Sequence, residues 1–518
     1  MAFEAKRTDL AGRIGRLVTN HGVLETPYLF PVVDPARQVP NLSKLEELGF
    51  NGIITNAYLF YKRNLGQVRS IHAELDWKKV IMTDSGGYQI LVYGGVEVDN
   101  KTIVQYEKEI GSDIAVILDV PTGSKMTRDE AERAVYETYK RGLEALPLIE
   151  DAKQLWVYPI QGAPYLELVA RSAILARKLP YDIYAVGSPT VMLEKYEYSK
   201  LVEIVAIAKM HLPPGRPLHV FGVGHPMVIP FLVAIGGDLF DSASYILYAR
   251  DGRYMTEAGT RNIREMSYFP CSCPVCSKYT PQELLEMPDN KRTELLALHN
   301  LYVLAKEIRT VKQHIREGRL WELLEYRSRS HPALFEAFNK LKKYYRLLAK
   351  YSPLTNPGGR AVFIYPNTHL YNPRLRVNIE RAEKTALRDL KDKIVVIIPA
   401  YRKPYNKQEE YIKASTKAAG SEVKVLIIHP QLGLLTAGTS STYPFYQHEG
   451  RIWKESMDPQ RLAALIEKVA KRKPRLVILV KAAWLSNKVA GRVSEVLKSR
   501  GVETVICKLD EISSLLPR

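Results

Sequence analysis

The sequence predicts an α/β protein: a (β/α)8, TIM-like barrel with a zinc-binding insertion, followed by a basic C-terminal α/β domain. Three observations carry that prediction. Eight apolar, β-rich stretches alternate with amphipathic helical ones between residues 28 and 242, three clustered cysteines follow, and the net positive charge is confined to the last third. Alternating strands and helices pair in parallel through right-handed crossovers. Eight repeats favour a closed barrel over an open doubly wound sheet, the competing arrangement.

In chain order the candidate strands are YLFPVV (28–33), GIITN (52–56), VIMTD (80–84), IAVILD (114–119), LWVYPIQG (155–162), IYAVGS (183–188), LHVFGVG (218–224) and DLFDS (238–242). Between them, TRDEAERAVYETYKRGLEAL (127–146) and EYSKLVEIVAIAKMHL (197–212) have helical spacing and plausible starts. Further helical stretches follow, and then the breaker SPLTNPGGRA (352–361) marks a boundary. Beyond it, KIVVIIPAY, VKVLIIHP, RLVILVKAAWLS and ETVICKLD alternate with helical runs. The expected organisation is a catalytic barrel over 1–330 with a metal site near 271–299, a helical linker region over 331–384 and a basic α/β domain over 385–518.

Composition narrows the class. With 46% hydrophobic residues among 518 and no apolar run near ~18 residues, the chain reads as soluble. Its N-terminus, MAFEAKRTDLAGRIG, has no apolar export core, so a cytoplasmic location is expected. Residues 1–330 hold 40 Lys+Arg against 40 Asp+Glu, whereas 331–518 hold 34 against 16. A neutral catalytic body with a basic module for a polyanion fits that asymmetry, and so does a merely solvated basic surface.

In such barrels the chemistry sits at the C-terminal ends of the strands. Asp84, Asp119, Gln161, Gly187, Phe221 and Asp241 each fall at a different strand end. Alone, each is readily a turn or cap residue; together they form a site if the barrel closes. Asp84 and Asp241 supply the two carboxylates that glycosidic-bond cleavage uses. Gly86 and Gly87 let a flat ligand approach the backbone. Tyr88 and Phe221 can sandwich an aromatic base, while Asp119 and Gln161 can read its edge, one accepting and the other both donating and accepting. The set suits a purine better than a sugar.

FPCSCPVCSKY places Cys271, Cys273 and Cys276 as C-x-C-x2-C, and His299 follows on a helix-like run. Four such ligands fill a tetrahedral zinc site with no open position, which makes the ion structural. An ordinary helix histidine is the alternative for His299. Cys507 stands apart, and four cysteines in all give no disulfide framework.

These residues lead to a family. The chain resembles the tRNA-guanine transglycosylases, in particular their archaeal branch, through AGRIGRLVTNHGVLETP, ITNAYLF, DSGGYQ, ILDVPTG, PIQGA, FGVGHP, LFDSASYILYARDGRYMT and CSCPVC with His299, in this order over roughly residues 10–310. The resemblance implies exchange of a D-loop guanine in tRNA for 7-cyano-7-deazaguanine (preQ0), in archaeosine biosynthesis, and a homodimer. It implies Asp241 as nucleophile, Asp84 in proton transfer, Tyr88 and Phe221 around the base, Asp119 and Gln161 reading it, and the loop Gly187–Thr190 lending backbone groups. Two alternatives stand beside it: a queuine-type enzyme acting on the anticodon, and a catalytically silent tRNA-binding subunit.

In the tail, KVAKRKPR (468–475) reads as a tRNA phosphate contact or a solvated helix end, and Tyr344-Tyr345 as helix packing ahead of base stacking. PAYRKPYNK (399–407) is similar to a degenerate P-C-…-K-P-Y motif of the paralogous archaeosine synthase, with Ala400 in place of the cysteine. Base exchange, not amidination, is therefore expected. The C-terminal PUA β-barrel that family members often carry is not expected among these segments.

Overall fold

The computed structural model describes residues 2–516 except 88–97, 124, 188–189, 356–360, 366–367, 418–421, 452–458, 482–486 and 509–510. All eight apolar stretches are strands: Tyr28–Pro31, Gly52–Asn56, Val80–Asp84, Ile114–Val116, Leu155–Ile160, Ile183–Val186, Leu218–Val220 and Leu239–Ser242. Each pairs in parallel with its sequence neighbour from the second to the eighth, and the eighth pairs with the first. The remaining seam, between first and second, is spanned by the Val32–Ile54 bridge, with Val33 N–H donating to Ile54 O at 2.8 Å. The sheet therefore closes into a barrel, and the open doubly wound arrangement is excluded.

Near-continuous apolar sequence is what strands buried on both faces require. Ile53, Ile81, Ile114, Val157, Ile183, Val220 and Leu239 are all solvent-excluded, each contributing about 1.5–3 kcal/mol by burial. The helices outside present one apolar stripe inward. In Arg128–Ile149 this stripe is Ala131, Ala134, Val135, Thr138, Gly142 and Ala145. That helix begins where Thr127 accepts from Glu130 N–H and the Glu130 carboxylate accepts in return from Thr127 N–H at 2.7 Å.

An antiparallel three-stranded sheet, Phe3–Asp9, Gly12–Thr19 and Gly22–Glu25, precedes the barrel and lies against the end where its strands begin. The buried Arg13–Asp238 ion pair and the His21–Asp113 contact at 2.9 Å tie it to the residues just before two barrel strands. This sheet fixes the floor and leaves the mouth open.

The chain forms two compact units, residues 1–351 and 352–518. Helices Pro332–Lys343 and Tyr345–Tyr351 belong to the first: Leu334, Phe338, Leu341 and Leu348 join the barrel's core, and Lys340 pairs with Glu203 at 2.8 Å. The second unit holds a five-stranded sheet in the order 433–435, 423–429, 394–399, 476–480, 503–507, parallel except at Gly433–Leu435. Helix Pro373–Ala386 buries Leu375, Ile379 and Ala382 against this sheet's Ile427 and Leu435. No described helix is long and apolar enough to cross a membrane.

Candidate active site

The last residues of the second and third barrel strands, Asn56 and Asp84, lie directly opposite each other in register. Asn56 has two tasks. Its Oδ1 accepts from Leu59 N–H at 2.9 Å, capping helix Ala57–Arg63, and its Nδ2 donates to Asp84 Oδ2 at 3.0 Å. Burial pushes the Asp84 carboxyl up to about 7, reinforced by the negative charges of Asp119 and Asp241 and moderated by Gly86 N–H and Asn56. A carboxyl poised there both holds and releases a proton near neutrality.

Asp119 follows the fourth strand and Gln161 directly follows the fifth. Gln161 Nε2 donates to Asp119 Oδ2, while Gln161 Oε1 accepts from Thr122 N–H at 3.0 Å and Thr122 Oγ1 at 3.2 Å, which fixes the amide's orientation. Burial pushes Asp119 up to about 6, and the Gln161 hydrogen bond holds it back from rising further. Two glycines make room for this pair. A Cβ on Gly87 would overlap Asp119 Oδ1, and a Cβ on Gly187 would overlap Gln161 Nε2. The side-chain-free backbone after Asp84 is thus occupied by another residue's carboxylate.

Asp241 lies on the eighth strand. Its Oδ1 faces His219 Nε2 at 2.8 Å and accepts from Gly222 N–H at 2.9 Å. Asp84, Asp119, Gln161, Gly187, Phe221 and Asp241 line one cavity of about 1220 Å³. That exceeds the usual volume of a small-molecule site, leaving space for a nucleotide and its neighbours. Arg63, Arg250, Arg253, Tyr196 and Tyr248 also line it, with the Arg253 guanidinium 3.8 Å above the Tyr248 ring. Tyr88 lies outside the described residues. The sequence reading missed Asn56 and His219, which the structure places beside Asp84 and Asp241.

Away from the cavity, Cys271, Cys273, Cys276 and His299 bring their ligand atoms within 4.8 Å of one another. His299 Nδ1 lies 3.4 Å from both Cys273 Sγ and Cys276 Sγ, and its Nε2 donates to Met255 O at 3.0 Å. Tyr254 stacks on the imidazole at 3.7 Å. Three sulfurs and one nitrogen, the latter fixed by a carbonyl behind it, fit a tetrahedral metal ion.

Carboxylates from separate strands that line one cavity at the mouth of a barrel are an arrangement that suits an enzyme of glycosyl transfer. Comparison with known proteins makes the assignment particular. A family profile described as queuine tRNA-ribosyltransferase matches residues 9–333. The tRNA-guanine(15) transglycosylase of Aeropyrum pernix is 48% identical over 452 residues, 86% of this chain and 87% of that one. Its counterpart from Sulfolobus acidocaldarius is 42% identical over 86% of this chain and 88% of its own. That of Pyrococcus furiosus is 41% identical over 90% of this chain and 74% of its own. The chain belongs to the tRNA-guanine transglycosylase family.

Proposed function

We propose that this protein exchanges the guanine at position 15, in the D-loop of tRNA, for preQ0 in archaeosine biosynthesis, through a covalent aspartyl-ribose intermediate. The position is the one carried in the names of its relatives. The observation that supports the chemistry best is that Asp84 and Asp241 line one cavity, from strands on different sides of the barrel seam.

In this reading Asp241 attacks C1′ of the target ribose as the C1′–N9 bond breaks, and Asp84 gives its proton to the departing guanine. The incoming base then passes its N9 proton to the Asp84 carboxylate and attacks C1′, releasing Asp241. Two inversions retain configuration, and no nucleotide triphosphate is consumed. Tyr88 and Phe221 stack on the base, Asp119 and Gln161 read its edge, and Gly187 contributes backbone. Everting the target base costs on the order of a few kcal/mol, which phosphate contacts from the basic 385–518 region offset. The Cys3His cluster would hold one structural Zn2+, with all four positions taken by protein and no part in the exchange. The enzyme acts in the cytoplasm as a homodimer.

The test is incorporation of labelled guanine, then of preQ0, into unmodified tRNA, with mapping of the replaced nucleotide. Wild-type exchange at the D-loop and none with Asp241→Ala supports the reading. Exchange in the anticodon, or undiminished exchange by Asp241→Ala, contradicts it.

A further inference from the structure

Asp241 needs a defined orientation as well as a charge. Both of its hydrogen bonds among the described residues fall on a single oxygen: Oδ1 receives Gly222 N–H at 2.9 Å and faces His219 Nε2 at 2.8 Å. Oδ2 carries none of these bonds and belongs to a side chain that lines the cavity. The two oxygens are therefore chemically distinct before any substrate arrives.

His219 is built to hold that distinction. It is completely solvent-excluded, on the strand Leu218–Val220 next to the strand that bears Asp241. Its ring stacks on Phe30 at 6.0 Å and tilts against Phe221 at 4.6 Å, so it cannot swing away without displacing packed aromatics. Its Nδ1 is buried and has no hydrogen-bond partner among the described residues. A proton on Nδ1 would face nothing able to accept it, whereas a proton on Nε2 faces a carboxylate oxygen; the Nε2–H form is the one this environment supports. The same ring touches Phe221, which ties the orientation of the carboxylate to the wall proposed to stack on the base.

Resting on the functional reading above, we propose that His219 is a positioning residue for Asp241: its Nε2–H, with Gly222 N–H, clamps Oδ1 and leaves Oδ2 as the oxygen that bonds to C1′. The clamped oxygen accepts hydrogen bonds that are charge-assisted in the free carboxylate and remain as ordinary hydrogen bonds to the ester carbonyl once Oδ2 is bonded to C1′, so the group keeps one orientation through both displacements. When the incoming base attacks C1′, the electron pair of the C1′–Oδ2 bond returns to a carboxylate whose Oδ1 is still held. Departure of Asp241 is thereby eased as well as its attack.

The experiment compares wild type, Asp241→Ala, His219→Phe and His219→Gln in steady-state guanine exchange and in single-turnover formation of the enzyme–tRNA adduct on denaturing gels. Phenylalanine keeps the ring and removes the donor; glutamine restores a donor at about the reach of Nε2. For His219→Phe we expect kcat and the adduct-formation rate to fall about 10- to 100-fold, with KM for tRNA and for guanine within about twofold. His219→Gln should recover a substantial part of that loss. Should the phenylalanine variant not fold, His219→Leu takes its place in the same comparison. Wild-type kcat in the donor-free variant overturns the proposal. So does a loss confined to KM with normal adduct formation, or a glutamine variant as slow as the donor-free one. Absence of exchange by the wild type removes the functional reading itself, an outcome separate from any behaviour of the His219 variants.

Discussion

Asn56 and Asp84, the paired last residues of neighbouring strands, are joined by a 3.0 Å hydrogen bond from Nδ2 to Oδ2. That bond favours the charged carboxylate, against burial and two neighbouring aspartates that favour the neutral one. The balance leaves the carboxyl near 7. In the proposed mechanism the departing guanine takes its proton from Asp84, so base release should decline as pH rises through about 7. Removing the donor in Asn56→Ala lifts the carboxyl further, so the declining limb should move to higher pH while maximal rate falls roughly 10-fold. A pH profile of kcat/KM for both proteins checks the direction.

Asp84 should also work against the fold. Its carboxyl is raised from 3.8 to about 7, so its contribution to stability is greatest below 3.8 and is lost as pH rises through about 7. Asp84→Asn removes the ionisation. At pH 8 the variant should melt a few degrees higher, on the order of 2–4 °C, while exchange disappears. Calorimetry beside the exchange assay reads both; a variant that is inactive and less stable than wild type at pH 8 contradicts the account.

At the opposite end of the barrel, His72 Nδ1 donates to Trp77 O at 2.8 Å and its Nε2 lies 3.3 Å from Asp113 Oδ2. Burial pulls the His72 imidazole down, but Asp113 and the Trp77 carbonyl outweigh it and the net direction is upward from 6.5. Burial likewise opposes ionisation of Asp113, yet hydrogen bonds from His72, Ile81 and His21 hold that carboxyl below 3.8. The His72 contribution is complete below pH 6.5 and fades as pH rises through the folded-state value; that of Asp113 is complete above 3.8 and fades toward acid. Urea midpoints should therefore fall between pH 6 and 9 in the wild type and fall less steeply in His72→Phe, where the Asp84 contribution to the slope remains. The difference is about 1 kcal/mol or less after solvent screening.

The cysteine cluster gives a stoichiometric prediction. One equivalent of metal per chain should be found by elemental analysis, reduced to a small fraction in Cys273→Ser and His299→Ala. Because His299 also holds Met255 O and packs on Tyr254, loss of metal should lower the melting temperature together with activity. The two losses should track each other during chelation, since no ligand faces the cavity. Metal-free protein that melts like the wild type would contradict a structural role.

The barrel is legible in the sequence because strands buried on both faces must be apolar throughout, and chemistry at their ends must break that run. Asp84, Asp119 and Asp241 stand out for this reason. Asn56 reads equally well as a helix cap, a role it also performs, so its bond to Asp84 leaves no separate trace. His219 lies within an apolar run and looks like a core histidine until Asp241 is seen beside it. The N-terminal antiparallel sheet is harder still: Phe3–Asp9 is mostly charged and lacks an apolar run, and its fixing points, Asp113 and Asp238, are far away along the chain. Helices 332–351 join the barrel through an apolar stripe that local sequence cannot assign to either unit.

The spaces left by Gly87 and Gly187 are already filled by the carboxylate and the amide opposite them. Any larger residue at either site evicts its occupant, and a smaller or differently shaped occupant leaves a hole behind the glycine. Loop and side chain form a lock and its ward, so a new base preference should require paired replacements, and collections of single substitutions at the mouth should be poor in altered specificity.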